Sequence, residues 1–358
     1  MINLDKAALN SPHPRFESSI SRAVVLHRPS TNILGSARRS FLNDCRERIA
    51  GHLGRDPVDL SFFGSATAAV RFVSNKLKQE KLFKLHVPKT EHKCSLSVAD
   101  YELDVDADGQ VLLGSLPYRS SYLNLLVISL KNNETGISPS DDVRQEISVA
   151  QSQGVRLMID ATGGDWNDPL VKKADYVFAS AGKWHGLPGL GMLIGTKDLW
   201  DDQETEGLGG LVGGSPNMIG ISCLADAMDW IAGPHGTGLV EKNTYYRHVI
   251  EETATALGWK KNGSGPGIAN YSTGIPSDLF VQEASDAGLN ISAGAACNSG
   301  ISSGSHVITA MFDEKRAMSS IRISWDRLTK EPDIMAAMEI VKNTDSALRA
   351  ILPKGDGK

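Results

Sequence analysis

The sequence predicts an α/β protein whose main domain is built on a largely parallel β-sheet. Three short apolar runs, 125–130, 156–160 and 176–180, have the length and composition of buried parallel strands, and 191–195 reads as another. A helical pattern occupies 139–153 between the first two runs and begins with acidic residues, which suit a helix start. Strand, helix and strand in this succession form a βαβ unit, and repeated units build a parallel sheet covered by helices.

The chain is long enough for two domains. Its 358 residues exceed the usual size of a single hydrophobic core. The pattern changes near Gly233-Pro234, after which a long helical stretch, a strand-like run and a final helix predict a smaller α+β domain. We therefore predict a large α/β domain at 16–233 and a small α+β domain formed by 1–15 and 234–358.

Composition and charge exclude several classes of protein. The net charge of −5 provides no basic surface for nucleic acid or an anionic membrane, and no apolar run approaches the ~20 residues of a membrane span. The N-terminal residues lack the basic and apolar regions of a signal peptide, so we expect a cytoplasmic protein. The cysteines show no metal-ligand spacing, which predicts thiols and no metal site: Cys45, Cys94, Cys223 and Cys297.

Two charged residues stand where neighbouring strands are predicted to end. Asp160 closes the run 156–160, and Lys183 follows the run 176–180. Taken singly, Lys183 would be a solvated loop lysine and Asp160 a helix cap. In a parallel sheet, however, these ends face one crevice, where ligands bind. Together they offer the amine and the carboxylate that pyridoxal 5'-phosphate (PLP) requires for its aldehyde and its ring nitrogen. We predict that Lys183 carries PLP as a Schiff base and that Asp160 holds the ring nitrogen.

A series of short blocks, in a fixed order along the chain, points to a known family. The blocks are Leu4-Asp5-Lys6-Ala7-Ala8, Gly64-Ser65-Ala66-Thr67, Thr90-Glu91-His92-Lys93, Asn132-Asn133-Glu134-Thr135-Gly136, Gly213-Gly214-Ser215-Pro216-Asn217, Ser292-Ala293-Gly294-Ala295-Ala296-Cys297-Asn298-Ser299-Gly300 and Ser319-Ser320-Ile321-Arg322-Ile323-Ser324. They resemble the class V aminotransferase superfamily and, within it, the cysteine desulfurases with the longer cysteine loop. The resemblance covers nearly the whole chain and implies fold type I of the PLP-dependent transferases.

The resemblance implies which residues surround the cofactor. It places His92 on the pyridine ring, where it can shuttle a proton, and Asn133 near the cofactor and the substrate carboxylate. Arg322 would bind that carboxylate, which a guanidinium group fits bidentately. The phosphate would be held at a helix start, a position that suits an anion, and by two serines; these residues are Ala66, Thr67, Ser180 and Ser215. Because the family's counterpart of Ser215 reaches the phosphate of the partner subunit, a homodimer is implied.

Cys297 matches the catalytic cysteine of the family. Its loop is rich in glycine, serine and alanine, which favours an exposed, reactive thiol over a buried structural one. The resemblance implies that Cys297 takes sulfur from L-cysteine as a persulfide, leaves L-alanine and delivers the sulfur to an acceptor protein. The simpler interpretation is a loop cysteine without a chemical role.

Two positions depart from the family pattern. Gly163 stands where the family usually has a glutamine that donates to the phenolic oxygen of PLP, and Gly182 stands where it usually has a histidine. Both changes remove a polar contact to the cofactor. They keep a second hypothesis open, a PLP-dependent C–S or C–Se β-lyase or a specialised biosynthetic enzyme. A third hypothesis is a degenerate homologue that relays sulfur or serves as a scaffold without turnover.

Overall fold

The computed structural model describes residues 1–26, 33–80, 83–116, 122–195, 199, 216–233, 239–294 and 304–352. Within these ranges the strands are β1 (Ile2–Asn3), β2 (Leu60–Phe63), β3 (Phe83–Pro88), β4 (Tyr101–Leu103), β5 (Leu123–Ser129), β6 (Arg156–Asp160), β7 (Tyr176–Ser180), β8 (Gly191–Ile194), β9 (Lys260–Gly265), β10 (Ile268–Ser272), β11 (Leu289–Asn290) and β12 (Ser320–Ser324). The α-helices are α1 (Phe16–Val25), α2 (Ile33–Leu53), α3 (Ala66–Glu80), α4 (Lys93–Leu96), α5 (Asp141–Ser152), α6 (Pro169–Lys173), α7 (Met218–Ala232), α8 (Leu239–Ala256), α9 (Ser277–Asp286), α10 (His306–Met311), α11 (Glu314–Met318) and α12 (Glu331–Ile351).

The large sheet is mixed and has seven strands in the order β2-β8-β7-β6-β5-β3-β4. Its central pairs, from β3 through β5 and β6 to β7, are parallel, whereas β8 runs antiparallel to both β7 and β2. The expectation that 191–195 is another parallel strand is therefore wrong in direction. The physical reason is the length of the connection, because 181–190 is shorter than the dozen or so residues that a parallel crossover needs.

The predicted strands at 125–130, 156–160 and 176–180 are present as β5, β6 and β7. The predicted helix between the first two is α5, and the Ser140 hydroxyl caps it by accepting a hydrogen bond from the Val143 amide at 3.3 Å. The prediction of an α/β protein with a large mixed or parallel sheet is confirmed.

Both faces of the large sheet are buried. Along β5, Leu126 and Ile128 belong to one apolar cluster, which also includes residues of α1, α2, α5 and α7. Leu125 and Val127 belong to a second cluster, to which α3 contributes. Because successive side chains of a strand point to opposite faces, the continuous apolar runs follow from helices covering the sheet on both sides.

The C-terminal part of the chain forms a smaller sheet of three antiparallel strands in the order β12-β10-β9. The first residues of the chain pack with it: β1 pairs with β11 in parallel, and Leu4 lies in one apolar cluster with Tyr271, Phe280 and Val341. The domain limits at 16 and 234 stay a prediction.

Among the described residues, no helix has both the length and the apolar character that crossing a bilayer requires.

Candidate active site

The candidate site lies where the central strands of the large sheet end. Asp160 is the last residue of β6 and pairs with Ser129 of β5 and Phe178 of β7. Ser180 ends β7, and Lys183 closes the short 3-10 turn that follows it. Asp160 is buried, and its Oδ1 accepts a hydrogen bond from the Thr162 amide at 2.8 Å, which orients the carboxylate.

His92 lies within electrostatic reach of both charged groups. Burial is the main cause that lowers the pKa of His92; the charge of Asp160 raises it, and the charge of Lys183 lowers it further. The Cys94 amide donates a hydrogen bond to His92 Nδ1 at 3.2 Å, so a neutral ring carries its proton on Nε2. The structure therefore brings together the three residues expected to hold and contact the cofactor ring.

A helix start lies on the β7–β8 side of this site. α3 begins with Ala66 and Thr67, whose backbone N–H groups have no acceptor within the helix. A Cβ atom at Gly191 would lie 2.2 Å from the carbonyl carbon of Ser65 and 2.4 Å from the amide nitrogen of Ala66, so only glycine lets β8 pass this close. Gly191 pairs with Ser180, which places Ser180 next to the helix start. The predicted phosphate-binding residues within the described ranges are thus neighbours.

Arg322 is buried in β12 and already holds two partners. Its Nη1 donates to the Asn133 carbonyl oxygen at 2.8 Å, and its Nη2 forms an ion pair with Asp5 Oδ1 at 2.6 Å. Its Nε has no hydrogen-bond partner among the described residues. The structure thus places the two predicted substrate-binding residues, Asn133 and Arg322, side by side. The structure also places the Asp5 carboxylate against Arg322. A substrate carboxylate would have to displace Asp5 or share the guanidinium group with it.

Two predicted site residues, Cys297 and Ser215, lie outside the described residues. Glu134 lies beside the described residues on both sides of the segment 295–303, which contains Cys297. The Ser305 hydroxyl donates a short hydrogen bond to Glu134, and a Cβ at Gly294 would lie 3.3 Å from Glu134 Oε2. Glu134 follows Asn133 directly, so the described residues on both sides of 295–303 lie close to the substrate-binding pair.

The two departures from the family pattern have structural counterparts. A Cβ at Gly182 would lie 2.7 Å from Leu9 Cδ1, so the N-terminal segment fills the space that a side chain at 182 would need. A Cβ at Gly163 would lie 3.1 Å from the Lys131 carbonyl oxygen and 3.5 Å from Lys131 Cε. His185 does not replace the absent histidine, because its Nδ1 lies 2.6 Å from the Ser11 carbonyl oxygen and its ring packs on Trp230.

Sequence reasoning assigned no role to several titratable residues at the site, among them Glu91 and Lys131. Glu91 is buried within electrostatic reach of Asp160, and it accepts hydrogen bonds from the Ser129 amide, at 2.7 Å, and from the Ser129 hydroxyl. Burial raises the pKa of Glu91 to about 7, and the negative charge of Asp160 contributes to the rise. The sequence did contain a clue to Glu91, because Glu91 directly precedes His92 in the block Thr90-Glu91-His92-Lys93. Lys131 likewise precedes the block that contains Asn133.

A cavity of about 630 Å³ opens from the site toward the small sheet. Its lining includes Lys183, Lys131, Asn133 and Gly163 from the large domain and Arg327 from the small one. A small amino acid therefore has room between the two parts of the chain.

The family model for class-V aminotransferases matches residues 21–336. The chain belongs to the class-V aminotransferase family. It is 25% identical to the putative cysteine desulfurase IscS 1 of Bacillus subtilis, and the match covers 90% of each chain. Its fold is similar to that of a NifS-like protein, with a TM-score of 0.79 and 21% identity over 98% of this chain and 100% of the other. It is also similar to the cysteine desulfurase CsdA of Escherichia coli, with a TM-score of 0.75 and 19% identity over 97% of this chain and 95% of the other.

These similarities confirm the resemblance to class V and the expectation of fold type I. Enzymes of this family generally depend on PLP, and the family assignment favours an enzyme over a scaffold without turnover.

The raised pKa of Glu91 predicts a pH dependence of folding stability. The folded protein binds this proton more tightly than the unfolded chain, for which the pKa is 4.5. The resulting stabilisation is complete below pH 4.5 and is lost as the pH rises to about 7. We expect Glu91→Gln to remove about 3 kcal/mol of the stability change between pH 5 and pH 8, measured by urea unfolding at both values. The exposed Glu146→Gln serves as control, and an unchanged pH dependence in the Glu91 variant would contradict the assignment.

Proposed function

We propose that this enzyme is a PLP-dependent cysteine desulfurase that converts L-cysteine to L-alanine and takes the sulfur as a persulfide on Cys297. The observation that carries the proposal is the convergence of Lys183, Asp160 and His92, which follow or end β7, β6 and β3 at one edge of the large sheet. The similarity to proteins named cysteine desulfurase, over most of both chains, supports the choice of substrate.

The chemistry of the side chains fits PLP. The Lys183 amine would hold the aldehyde and the Asp160 carboxylate the ring nitrogen, while His92 would lie against the ring. The start of α3 and the Ser180 hydroxyl would hold the phosphate. The close approach permitted by Gly191 supports this role, since it brings the N–H groups of the helix start to the end of β7.

When bound, PLP supplies an aldehyde for the substrate amine and a ring that withdraws electrons from Cα. The Lys183 amine, which would hold the aldehyde, would also be placed to accept the Cα proton of a bound substrate. Asp160 keeps the ring nitrogen protonated, and its burial strengthens that interaction. His92, neutral near pH 7 because its pKa is lowered, can move a proton at Nε2, since Nδ1 accepts from the Cys94 amide.

Arg322 and Asn133 would orient the substrate. The Arg322 guanidinium is fixed by the Asn133 carbonyl and by Asp5, which leaves Nε as the donor without a partner among the described residues. A substrate carboxylate that binds Nε and displaces Asp5 from Nη2 would gain a bidentate contact.

Cys297 performs the sulfur transfer in this proposal. Its thiolate would attack the substrate sulfur, an S–S bond would form as the Cβ–S bond breaks, and the electron pair of the broken bond would stay on Cβ. Cβ would then take up one proton, which matches the proton that the Cys297 thiol gave up. The products are L-alanine and a persulfide on Cys297, which an acceptor protein would then discharge. No added oxidant is needed, because the two electrons lost by sulfur when the S–S bond forms are gained by Cβ, which is reduced to a methyl group.

A β-lyase or selenocysteine lyase is the second candidate. It is favoured by Gly163 and Gly182, since both remove a polar side chain that the family directs at the cofactor. The products separate the two hypotheses: alanine and a persulfide support the desulfurase, whereas pyruvate and ammonia support elimination.

We expect Lys183→Ala to lose both turnover and the visible absorbance of the lysine-bound cofactor, because Lys183 follows β7 next to Ser180, whereas the Lys131 amine beyond β5 is hydrogen-bonded to the Pro266 carbonyl oxygen. Absorbance spectroscopy with added PLP, before and after borohydride reduction, checks this. Lys172→Ala, exposed on the same domain, should behave as the wild type. A borohydride-stable PLP adduct in Lys183→Ala would refute the assignment.

Cys297→Ser tests the sulfur-transfer step. The variant should bind PLP and change its spectrum on addition of L-cysteine, because Lys183, Asp160 and Arg322 are intact. It should form no persulfide and at most about 1% of the wild-type alanine, since a hydroxyl is a far poorer nucleophile than a thiolate. Alanine and persulfide assays give the readout. Alanine production near the wild-type rate would exclude the thiol mechanism, and a lost spectral change would make Cys297 structural.

We expect an active homodimer, with Ser215 of each chain contributing to the phosphate site of the other. The support is the resemblance of the block 213–217. Light scattering at micromolar concentration measures the mass, and Ser215→Ala should weaken PLP affinity without changing that mass. A monomer with full activity would overturn this part of the proposal.

A further inference from the structure

Lys131 is a second lysine beside the proposed cofactor site, and its surroundings are unusual. It follows β5, the strand next to the one that ends in Asp160. Its Nζ donates a hydrogen bond of 2.8 Å to the carbonyl oxygen of Pro266, in the turn between β9 and β10. The side chain therefore crosses from the large sheet to the small one, along the wall of the cavity that Lys183 also lines.

The Lys131 side chain passes directly beside Gly163. A Cβ at Gly163 would lie 3.5 Å from Lys131 Cε, an ordinary van der Waals distance, and 3.1 Å from the Lys131 carbonyl oxygen, which is a tight contact. The aliphatic part of Lys131 therefore faces the position where the family usually carries a glutamine.

The order of strands decides which edge of the cofactor would face Lys131. Asp160, on β6, would hold the ring nitrogen, and the phosphate would lie toward Ser180 and the start of α3, on the β7–β8 side. The phosphate arm and the phenolic oxygen stand on opposite edges of the PLP ring. The phenolic oxygen would then face the β5 side, where Lys131 follows the strand.

We propose that Lys131 is a positioning residue for the cofactor: its ammonium group, beside Gly163, faces the phenolic oxygen and sets the proton affinity of the nitrogen that joins Lys183 to PLP. The inference rests on the proposed function.

The electrostatics agree with the geometry. Burial and the charge of Lys183 lower the pKa of Lys131 to about 8, so the two amines influence each other and Lys131 is still mostly protonated at pH 7. His92 also interacts with the charges of Lys183 and Asp160, Lys6, Asp165 and Arg327 line the same cavity as Lys183, and Arg322 is paired with Asp5. A cation at Lys131 stabilises an anionic phenolic oxygen and disfavours a further proton on the adjacent nitrogen. The physical consequence is a lower pKa for the lysine-bound cofactor.

A spectrophotometric pH titration of the PLP-loaded protein, without substrate, tests the role. Lys131→Met should raise the pH at which the visible band changes by about one unit, a tenfold higher proton affinity. Lys131→Gln keeps a polar end of similar reach and should shift the band in the same direction, which separates the charge from the contact with Pro266. Lys131→Arg keeps the charge and should titrate within about 0.3 units of the wild type.

Lys6→Met is the matched control, because Lys6 lines the same cavity and its Nζ is hydrogen-bonded to Ser11. It should leave the titration unchanged. A Lys131→Met protein that binds PLP and titrates as the wild type would overturn the role, and so would an equal shift in Lys6→Met, since the total charge of the cavity would then be the cause. A wild-type protein that shows no lysine-bound band would overturn the proposed function itself, and this inference with it.

Discussion

The parallel pairing of β5, β6 and β7 is the constraint on which the site depends. Ser129, Asp160 and Phe178 stand opposite one another across these strands, so β5 and β6 end level, β7 ends two residues further on, and all three face one crevice. A slip of one residue would turn Asp160 to the other face of the sheet. What prevents the slip is the packing of apolar residues along β6 on both faces, with Leu157 in one cluster and Met158 in the other. The position of the acid therefore follows from the burial of its apolar neighbours.

The short connection between β7 and β8 has a second consequence. It forces β8 to run antiparallel, and this brings Gly191, at the start of β8, next to Ser180, at the end of β7. The absence of a side chain at Gly191 lets the start of α3 approach that edge. An anion bound there would receive both N–H groups of the helix start and a hydroxyl group. This anion site is thus assembled from separate segments of the chain. It depends on the absence of a side chain at Gly191 and on the antiparallel direction of β8.

Charge is concentrated around the crevice and is arranged in pairs. Buried charges are costly unless they are paired and hydrogen-bonded. Arg322 is paired with Asp5, and Glu91, within electrostatic reach of Asp160, has a raised pKa and accepts two hydrogen bonds from Ser129. On the other side, burial lowers the pKa values of His92 and Lys131, and the charge of Lys183 lowers both further. A cofactor with an anionic phosphate and an anionic phenolic oxygen would favour the charged forms of Lys131 and Lys183.

The sequence by itself determined the central strands β5, β6 and β7, the α/β class and the pair of Asp160 and Lys183, because apolar runs and strand-end positions are local signals. Motif resemblance added His92, Asn133 and Arg322, and the structure brings these residues together.

Only the tertiary structure decided the direction of β8, the ion pair of Arg322 with Asp5, and the contact of Lys131 with Gly163. Asp5 and Arg322 are separated by most of the chain, and Lys131 and Gly163 belong to different turns that follow neighbouring strands. Such contacts arise when strands assemble side by side, and no local pattern encodes the distance between residues on different strands. Gly163 and Gly182 appear in the sequence as lost side chains. In the folded protein Lys131 and Leu9 occupy the space beside them, because a packed interior fills the volume that a missing side chain leaves.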